Sequence, residues 1–479
     1  MIEWSYIGAH ITAIIFEIIY FVAVVGTIAV LILDNRNPVK TLAWILVLMF
    51  LPIVGLFFYF FFGRSQRHVR MISRKSYNRL LKRPKAEYLT QYCDVFPKEY
   101  NHLIHFFRYT NQSFPFDGNR VQVYTNGYSL VQSLVCEMRK AREHIHLEYY
   151  IFEDDSIGRL IRDVLIEKAR EGVEVRVIYD DVGCWHVPKS FFEKMMECGI
   201  EVRCFLKVRF PLFTSKVNYR NHRKIVVIDG CIGFVGGFNL ATRYVRGLSW
   251  GIWRDTHVLL EGKAVHGLQT VFLLDWYFVD RTLLTDSKYF PRLDNYGDSL
   301  VQIVTSEPVG KWKELMQGLT IAISSAKDYF YMQTPYFLPS EELLSSMKNA
   351  ALSGVDVRLM IPERSDSRLI NLGSRSYLTD ILEAGVKVYF YQKGFLHSKM
   401  MVSDDLLSTV GSTNLDFRSF EHNFEVNAFI YDPNLALKIK EIFLLDQRDS
   451  KSIFLKNWIK RSKWEKVVES LVRLMSPLL

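Results

Sequence analysis

Hydrophobic and polar positions divide the chain into two regimes. From Ile7 to Leu33 the strongly polar side chains are His10 and Glu17, and Thr41 to Phe62 is a run of 22 residues without a charge. About 20 apolar residues cross a bilayer core, and helices apolar on every side belong in lipid rather than on a protein surface. The pattern predicts two membrane-spanning helices, at about 7–33 and 41–62. From residue 118 onward the pattern changes to alternating strands and helices, and it runs through that alternation twice. His146–Phe152 reads as a buried strand, a helix follows through Leu160, Val164, Leu165 and Ala169 to Gly172, and Val173–Tyr179 is an alternating strand. The second pass has Tyr329–Met332, a helix through Leu343 and Met347 to Gly354, and the strand Val355–Met360. Glu197–Val202 and Glu383–Val388 keep the same order. Strand–helix–strand order predicts mainly parallel pairing. The expected architecture is α/β: two similar lobes, 118–290 and 291–479, forming a pseudo-dimer with a cleft between them.

Charge adds orientation and a class of partner. The loop Asp34–Lys40 carries Arg36 and Lys40, whereas nine basic residues (Arg64, Arg67, Arg70, Arg74, Lys75, Arg79, Lys82, Arg83 and Lys85) follow the second apolar run. The positive-inside bias then puts 64–117, read as a basic juxtamembrane linker, and the lobes on the cytoplasmic side of a multi-pass membrane protein. Met1-Ile2-Glu3 lacks the basic start of a signal peptide. Lys and Arg total 60 against 51 Asp and Glu, a net charge of +9, which suits nucleic acid or anionic lipid and does not choose between them. The six cysteines include no C-x-x-C pair, so they read as small buried residues in a reducing compartment, without a metal site.

Each lobe carries the same polar constellation. Asn221-His222-Arg223-Lys224 runs through an apolar strand to Asp229-Gly230, and Gly236-Gly237-Phe238-Asn239 follows; His397-Ser398-Lys399 runs to Asp404, followed by Gly411-Ser412-Thr413-Asn414. Both are H-x-K-x4-D-x6-G-[GS]-x-N. Positions i and i+2 of a strand share a face, which would present His222 with Lys224 and His397 with Lys399. A neutral imidazole can attack phosphorus, a protonated one can serve the leaving alkoxide, and lysines can offset equatorial charge, the task a metal performs elsewhere. His222, Lys224, Asp229, His397, Lys399 and Asp404 are therefore the candidate catalytic residues. Asp229 and Asp404 have a second reading as turn residues. Gly236, Gly237, Gly411 and Ser412 leave room for backbone and for the amides of Asn239 and Asn414 to approach a phosphate. Asp255 and Glu425, 33 and 28 positions after their histidines, are candidate orienting carboxylates, with a salt bridge to Arg243 or Arg418 as the rival reading.

The duplicated motif resembles the phospholipase D superfamily, and the chain is more closely similar to bacterial cardiolipin synthases. That narrower likeness rests on Asn37–Trp44, Phe62-Gly63-Arg64, Gly411–Ser419 and the ending Leu474–Leu479. The resemblance implies transfer between two phosphatidylglycerol molecules to give cardiolipin and glycerol, without metal or other cofactor, with His222 as nucleophile and His397 as acid and base. It implies phosphatidylglycerol as donor and acceptor, contact with anionic membrane lipids and no nucleic-acid partner; it leaves the oligomeric state open. A phospholipase D-type hydrolase or a headgroup-exchange enzyme such as phosphatidylserine synthase would use the same motif. A membrane-tethered nuclease suits the charge but not the apolar hairpin, and a non-catalytic membrane organiser has no need of two His-x-Lys pairs. Phe210-Pro211-Leu212-Phe213, and a tail mixing Phe454, Leu455, Trp458 and Ile459 with Lys456, Lys460, Arg461 and Lys463, are candidate interfacial segments.

Overall fold

The computed structural model describes residues 2–33, 38–59, 96–208, 219–308 and 310–476. The basic run 64–85, Cys93 and Phe210–Phe213 lie outside the described residues. The chain divides into two compact units, one holding the amino-terminal apolar helices and the other both halves of the duplication.

The first apolar run is one helix, Ile2–Leu33, with a 21-residue stretch, Ala13–Leu33, long and apolar enough to cross a membrane. The second run departs from the expected single span. It is two helices, Pro38–Phe50 and Pro52–Phe58, broken where Leu51 adopts φ −130° and ψ 64°. Pro52 has no N–H to donate, and its ring excludes the helical conformation at the residue before it. The chain doubles back at this break. The rings of Trp44 and Tyr59 meet edge to face at 5.5 Å, whereas an unbroken helix would hold them about 22 Å apart. Leu31, Leu48 and Tyr59 close a small core between the three helices. The 13-residue helix Pro38–Phe50 reaches about 20 Å, short of the roughly 30 Å hydrocarbon core.

In the larger unit, the duplication appears as two copies of one seven-strand order joined into a 16-stranded sheet. From the centre outward the first half runs Pro115–Tyr124, His257–Glu261, Ile232–Gly236, Lys224–Ile228, His144–Tyr149, Glu174–Asp180 and Glu201–Phe205. The second half runs Ser299–Ser306, Asn423–Tyr431, Leu407–Gly411, Met400–Ser403, Tyr329–Gln333, Asp356–Pro362 and Lys387–Tyr391, with Ser450–Ile453 added at its edge. The two central strands pair antiparallel, Phe116 opposite Val301. Along these two orders pairing is parallel in the outer three strands and antiparallel elsewhere, and the sixteenth strand, Arg220–Asn221, adds a short parallel pairing, so the sheet is mixed rather than mainly parallel. The parallel parts follow from the predicted crossovers. Asp155 caps the helix Ser156–Arg170 and Ser340 caps Glu341–Leu352, and Gly172 and Gly354 leave those segments at φ +92° and +96°, a conformation that costs glycine little.

The expected linker also contains structure. Asn101–Asn111 is a helix whose Leu103, Ile104 and Phe107 are buried in the core of the second half, with the Phe107 ring 4.6 Å from Phe429. Of the described cysteines Cys184 is buried, Cys136 is exposed and the other three are half-buried; none of the five is paired.

Candidate active site

The two motif strands leave their own sheets just before each histidine. Arg220–Asn221 pairs in parallel with Asn423 and Phe424 of the other half, and the His222 N–H donates to the Phe424 carbonyl at 3.0 Å. Gly394–Leu396 does the same with Ile252–Arg254, and the His397 N–H donates to the Arg254 carbonyl at 2.7 Å. Each histidine therefore sits in a break between two short strands, not within one continuous strand as the i, i+2 reading supposed. Strand geometry resumes at Lys224 and Met400.

This exchange of backbone partners decides which carboxylate meets which imidazole. Glu425 follows Phe424, and both its oxygens lie 3.0 Å from His222 Nδ1. Asp255 follows Arg254, and its Oδ2 lies 2.6 Å from His397 Nδ1. The sequence reading assigned each carboxylate to the histidine of its own half, and the structure reverses both assignments. The rival salt bridges are absent too: Arg243 pairs with Glu153, and Arg418 forms no ion pair among the described residues. With Nδ1 engaged, Nε2 is the ring nitrogen left for a substrate.

Burial sets the charge state of the site. It pulls His222 down to about 4 against the opposing pull of Glu425, and His397 to about 4 with Lys399 adding to the effect. Burial likewise lowers Lys224 to about 7 and Lys399 to about 8, with Glu425 and Asp255 as the main opposing charges. Burial alone would push Asp255 and Glu425 up, but Lys399 with His397, and His222 with Lys224, hold the two carboxyls below their ordinary values. Both lysines lie beneath the histidines, each ammonium donating to the carbonyl of its own motif histidine.

The remaining predicted residues divide into those at the cleft and those behind it. A cavity of about 340 Å³ is lined by His222 and His397 together, with Asn239 and Asn414 on its wall. Asn239 is held by the Ile151 N–H and the Tyr244 hydroxyl, whereas the side-chain oxygen of Asn414 is buried without a partner. The small residues make room for protein rather than for phosphate. A Cβ on Gly236 would lie 2.5 Å from His257 Cα, one on Gly237 2.0 Å from Asp255 Oδ1, and one on Gly411 2.1 Å from Asn427 Oδ1. Ser412 donates its hydroxyl to Glu425. Asp229 and Asp404 lie outside the cavity lining and have the turn role: Asp229 adopts φ +51° and accepts the N–H groups of Arg142, Glu143 and His144, and Asp404, at φ +50°, those of Lys327, Asp328 and Tyr329. These contacts match the second reading of the two aspartates, as turn residues.

Other site residues escaped the sequence reading. Tyr150 sets its ring edge-on to His222 at 5.0 Å, and Trp253 and Tyr336 line the same cavity. Behind His222, Arg223 pairs with buried Asp275, and Asn221 donates to buried Glu148. Behind His397, Arg254 pairs with Asp446 at 2.8 Å, and Gln333 donates to the same carboxylate at 2.7 Å. A signal for this layer was present. Glu148 and Gln333 are polar side chains in strands buried along their whole length, where an unpaired group costs about 1–3 kcal/mol and so demands a partner.

A family model described as the phospholipase D-like domain of cardiolipin synthase matches twice, over residues 134–263 and 319–446, and one described as a phospholipase D-nuclease amino-terminal region matches 18–64. The chain belongs to the cardiolipin synthase family. Within that family it is 40% identical over 461 residues to cardiolipin synthase 2 of Bacillus anthracis, covering 94% of this chain and 89% of that one. It is 39% identical over 481 residues to the major cardiolipin synthase ClsA of Bacillus subtilis strain 168, covering 98% and 100%. The fold is shared with the crystal structure of phosphatidylserine synthase from Haemophilus influenzae Rd KW20, at 14% identity and a TM-score of 0.59, over 79% of this chain and 98% of that one. The family's duplicated domain spans both motif histidines, which is where the cavity lies.

Proposed function

We propose that the protein is a phosphatidyl transferase that joins two phosphatidylglycerol molecules into cardiolipin and releases glycerol through a covalent phosphohistidine. The observation that carries this reading is that two imidazoles, one from each motif, face one cavity with Nδ1 held by a carboxylate from the opposite half. Neutral His222 Nε2 attacks the phosphorus of the first lipid. The P–N bond forms, the P–O bond to the terminal glycerol breaks, and His397 gives its proton to the departing alkoxide. His397 then takes the proton of the second lipid's glycerol hydroxyl, whose oxygen attacks phosphorus and releases His222. An anionic phosphodiester in the cavity favours the protonated form of His397, supplying at binding the proton that the empty site disfavours. Arg418 lines the cavity without an ion-pair partner among the described residues, and Lys224 and Lys399 lie just beneath; these cations offset the developing charge without a metal.

The reading is tested with purified protein in phosphatidylglycerol vesicles containing a chelator, following cardiolipin and free glycerol for wild type, His222→Ala and His397→Ala. Equimolar products from wild type, reduced at least about 10³-fold in both variants, are expected. Phosphatidic acid with glycerol would make the protein a hydrolase, and undiminished turnover in either variant would remove the twin-histidine mechanism.

The membrane attachment follows from the same substrates. We infer that the protein works at the cytoplasmic face of the bacterial cell membrane, with Ile2–Leu33 as the span and Pro38–Phe58 as a doubled-back pair that does not cross. Charge supports this single crossing: residues 1–12 contain no Lys or Arg, whereas Arg36, Lys40 and the nine basic residues from Arg64 to Lys85 all follow the span. An amino-terminal tag cleaved by protease added outside intact cells is the expected result. A protected tag would restore the two-span hairpin.

A further inference from the structure

The carboxy-terminal helix Lys463–Leu474 carries an apolar edge that nothing in the described structure covers. Trp464 is 73% exposed, Val467 47%, Leu471 58% and Leu474 78%. At 100° per residue these four side chains fall within one arc of roughly 80°. The opposite side is anchored. Glu469 is buried and pairs with Arg461 through both oxygens at 2.6 and 3.0 Å, and Val472 is buried against Gly373. Arg473 lies over the Tyr377 ring at 4.2 Å and pairs with Asp380. The apolar edge is therefore held outward by a fixed helix, not by a frayed end.

Two observations identify the occupant. The first is charge: Lys456, Lys460 and Lys463, leading into and opening this helix, are exposed and none forms an ion pair among the described residues, whereas of the helix's own acidic groups Glu469 is paired with Arg461 and Glu465 projects about 140° away from the centre of the apolar edge. A Trp-bearing apolar edge flanked by free lysines matches the boundary of an anionic bilayer, where indole takes the headgroup level and lysine meets phosphate. The second is position. The helix packs on Arg368–Ser376, whose Ile370 lines the cavity holding both histidines. A bilayer surface met by this helix is one helix away from the cavity wall.

We infer that Lys463–Leu474 is an interfacial helix that lays Trp464, Val467, Leu471 and Leu474 into an anionic lipid surface and so sets the cavity against the bilayer holding its substrate. The inference about the surface stands on exposure and charge; its consequence for turnover rests on the proposed lipid reaction. The tethering apolar segments deliver the protein to the membrane, and this helix fixes the angle at which the cleft meets it.

Amide hydrogen exchange on the full chain reconstituted in phosphatidylglycerol vesicles, in phosphatidylcholine vesicles and in detergent tests the surface without reference to catalysis. The expected result is exchange in 463–474 slowed at least about fivefold in the anionic vesicles relative to the zwitterionic ones, and lost in Val467→Glu/Leu471→Glu. Both positions are exposed, so the double variant keeps the fold, checked by unchanged exchange in the central strands. In mixed vesicles the variant should raise the phosphatidylglycerol fraction giving half-maximal rate about fivefold, with the rate at saturating lipid within twofold of wild type. Protection of the helix without any lipid turnover would support the surface and fail only the reaction. Equal exchange in all three environments would overturn the inference, as would protection that rises with protein concentration in detergent, which would give the edge to a second copy of the chain.

Discussion

The two half-sites share an ancestry in the duplicated motif and differ in how each holds its imidazole. His222 meets a glutamate that accepts two hydrogen bonds besides, from the Ser412 hydroxyl and from Asn423 Nδ2 at 3.1 Å. His397 meets an aspartate whose other oxygen accepts the Thr256 N–H at 2.8 Å, and in place of a hydroxyl it has Gly237. The longer glutamate is steadied by a serine, and the shorter aspartate is packed against a glycine that leaves no space. Exchanging Gly for Ser between the two motifs is thus not a neutral trade of small residues. It marks two differently supported imidazoles, which suits a reaction whose two histidines do different work.

The largest test of this comparison removes the carboxylates. Glu425→Gln and Asp255→Asn are each expected to lower kcat by about 10²–10³-fold, since each leaves an imidazole misoriented and its charged form unsupported. Imidazole NMR makes the crossing visible: the His222 Nδ1 resonance should move in Glu425→Gln and stay in Asp255→Asn, and the reverse for His397. Movement of the histidine in the same half would break the exchange described above.

The pH profile sharpens it next. His397 at about 4 must take up a proton to serve as acid, so kcat/KM should already decline above about 4, and because Lys224 at about 7 and Lys399 at about 8 lose positive charge as pH rises through those values the decline should steepen from pH 7 upward rather than near the ordinary lysine value of 10.5. The bound phosphodiester favours the ammonium form, which moves the alkaline limb of kcat to higher pH. On the acid side the histidines stay neutral down to about 4, so the limb expected near 6.5 for an ordinary imidazole should be missing from kcat/KM. An acid limb at 6.5 would contradict the desolvated site.

Gly237→Ala should lower activity about tenfold or more and destabilise the fold by roughly 1–3 kcal/mol, because the added carbon overlaps the Asp255 carboxylate. Ser412→Gly removes one hydrogen bond to Glu425, worth roughly 1 kcal/mol, and should lower activity less than tenfold. Denaturant midpoints and rates on the same preparations separate the two effects. Equal losses would erase the difference between the half-sites.

The smallest effect on catalysis is expected at the motif aspartates. Asp229→Ala and Asp404→Ala each strip three backbone N–H groups of their acceptor and leave an alanine at positive φ, costing about 2 kcal/mol of stability. At a temperature where both variants remain folded, kcat/KM should stay within about threefold of wild type. A thousandfold loss in folded protein would return these residues to the chemistry.

Much of this was legible along the chain. The parallel strand triplets were readable because alternation is a local pattern: Val173, Val175 and Val177 are buried, and Gly172 and Gly354 end helices that Asp155 and Ser340 begin. The motif histidines, lysines and asparagines were readable from spacing alone. The split of the second apolar run was less so, because a count of uncharged residues overlooks what Pro52 does to the backbone at Leu51. Arg223 with Asp275 and Arg254 with Asp446 were invisible, being pairs separated in sequence whose members look like ordinary surface charges until burial is known.

Reading the residues in order is enough to find two halves, one His-x-Lys pair in each, and apolar helices ahead of both. Periodicity and repetition are properties of neighbouring residues, so one chain read in order contains them. The pairing of His222 with Glu425 and of His397 with Asp255 exists only in the folded chain. Parallel pairing of Arg220–Asn221 with Asn423–Phe424, and of Gly394–Leu396 with Ile252–Arg254, brings each histidine to the residue following its partner strand's paired carbonyl. Backbone hydrogen bonds between strands about 200 and 140 positions apart set that register. Spacing along the chain carries no record of it, because a pseudo-twofold assembly can satisfy the same local pattern with partners from either half.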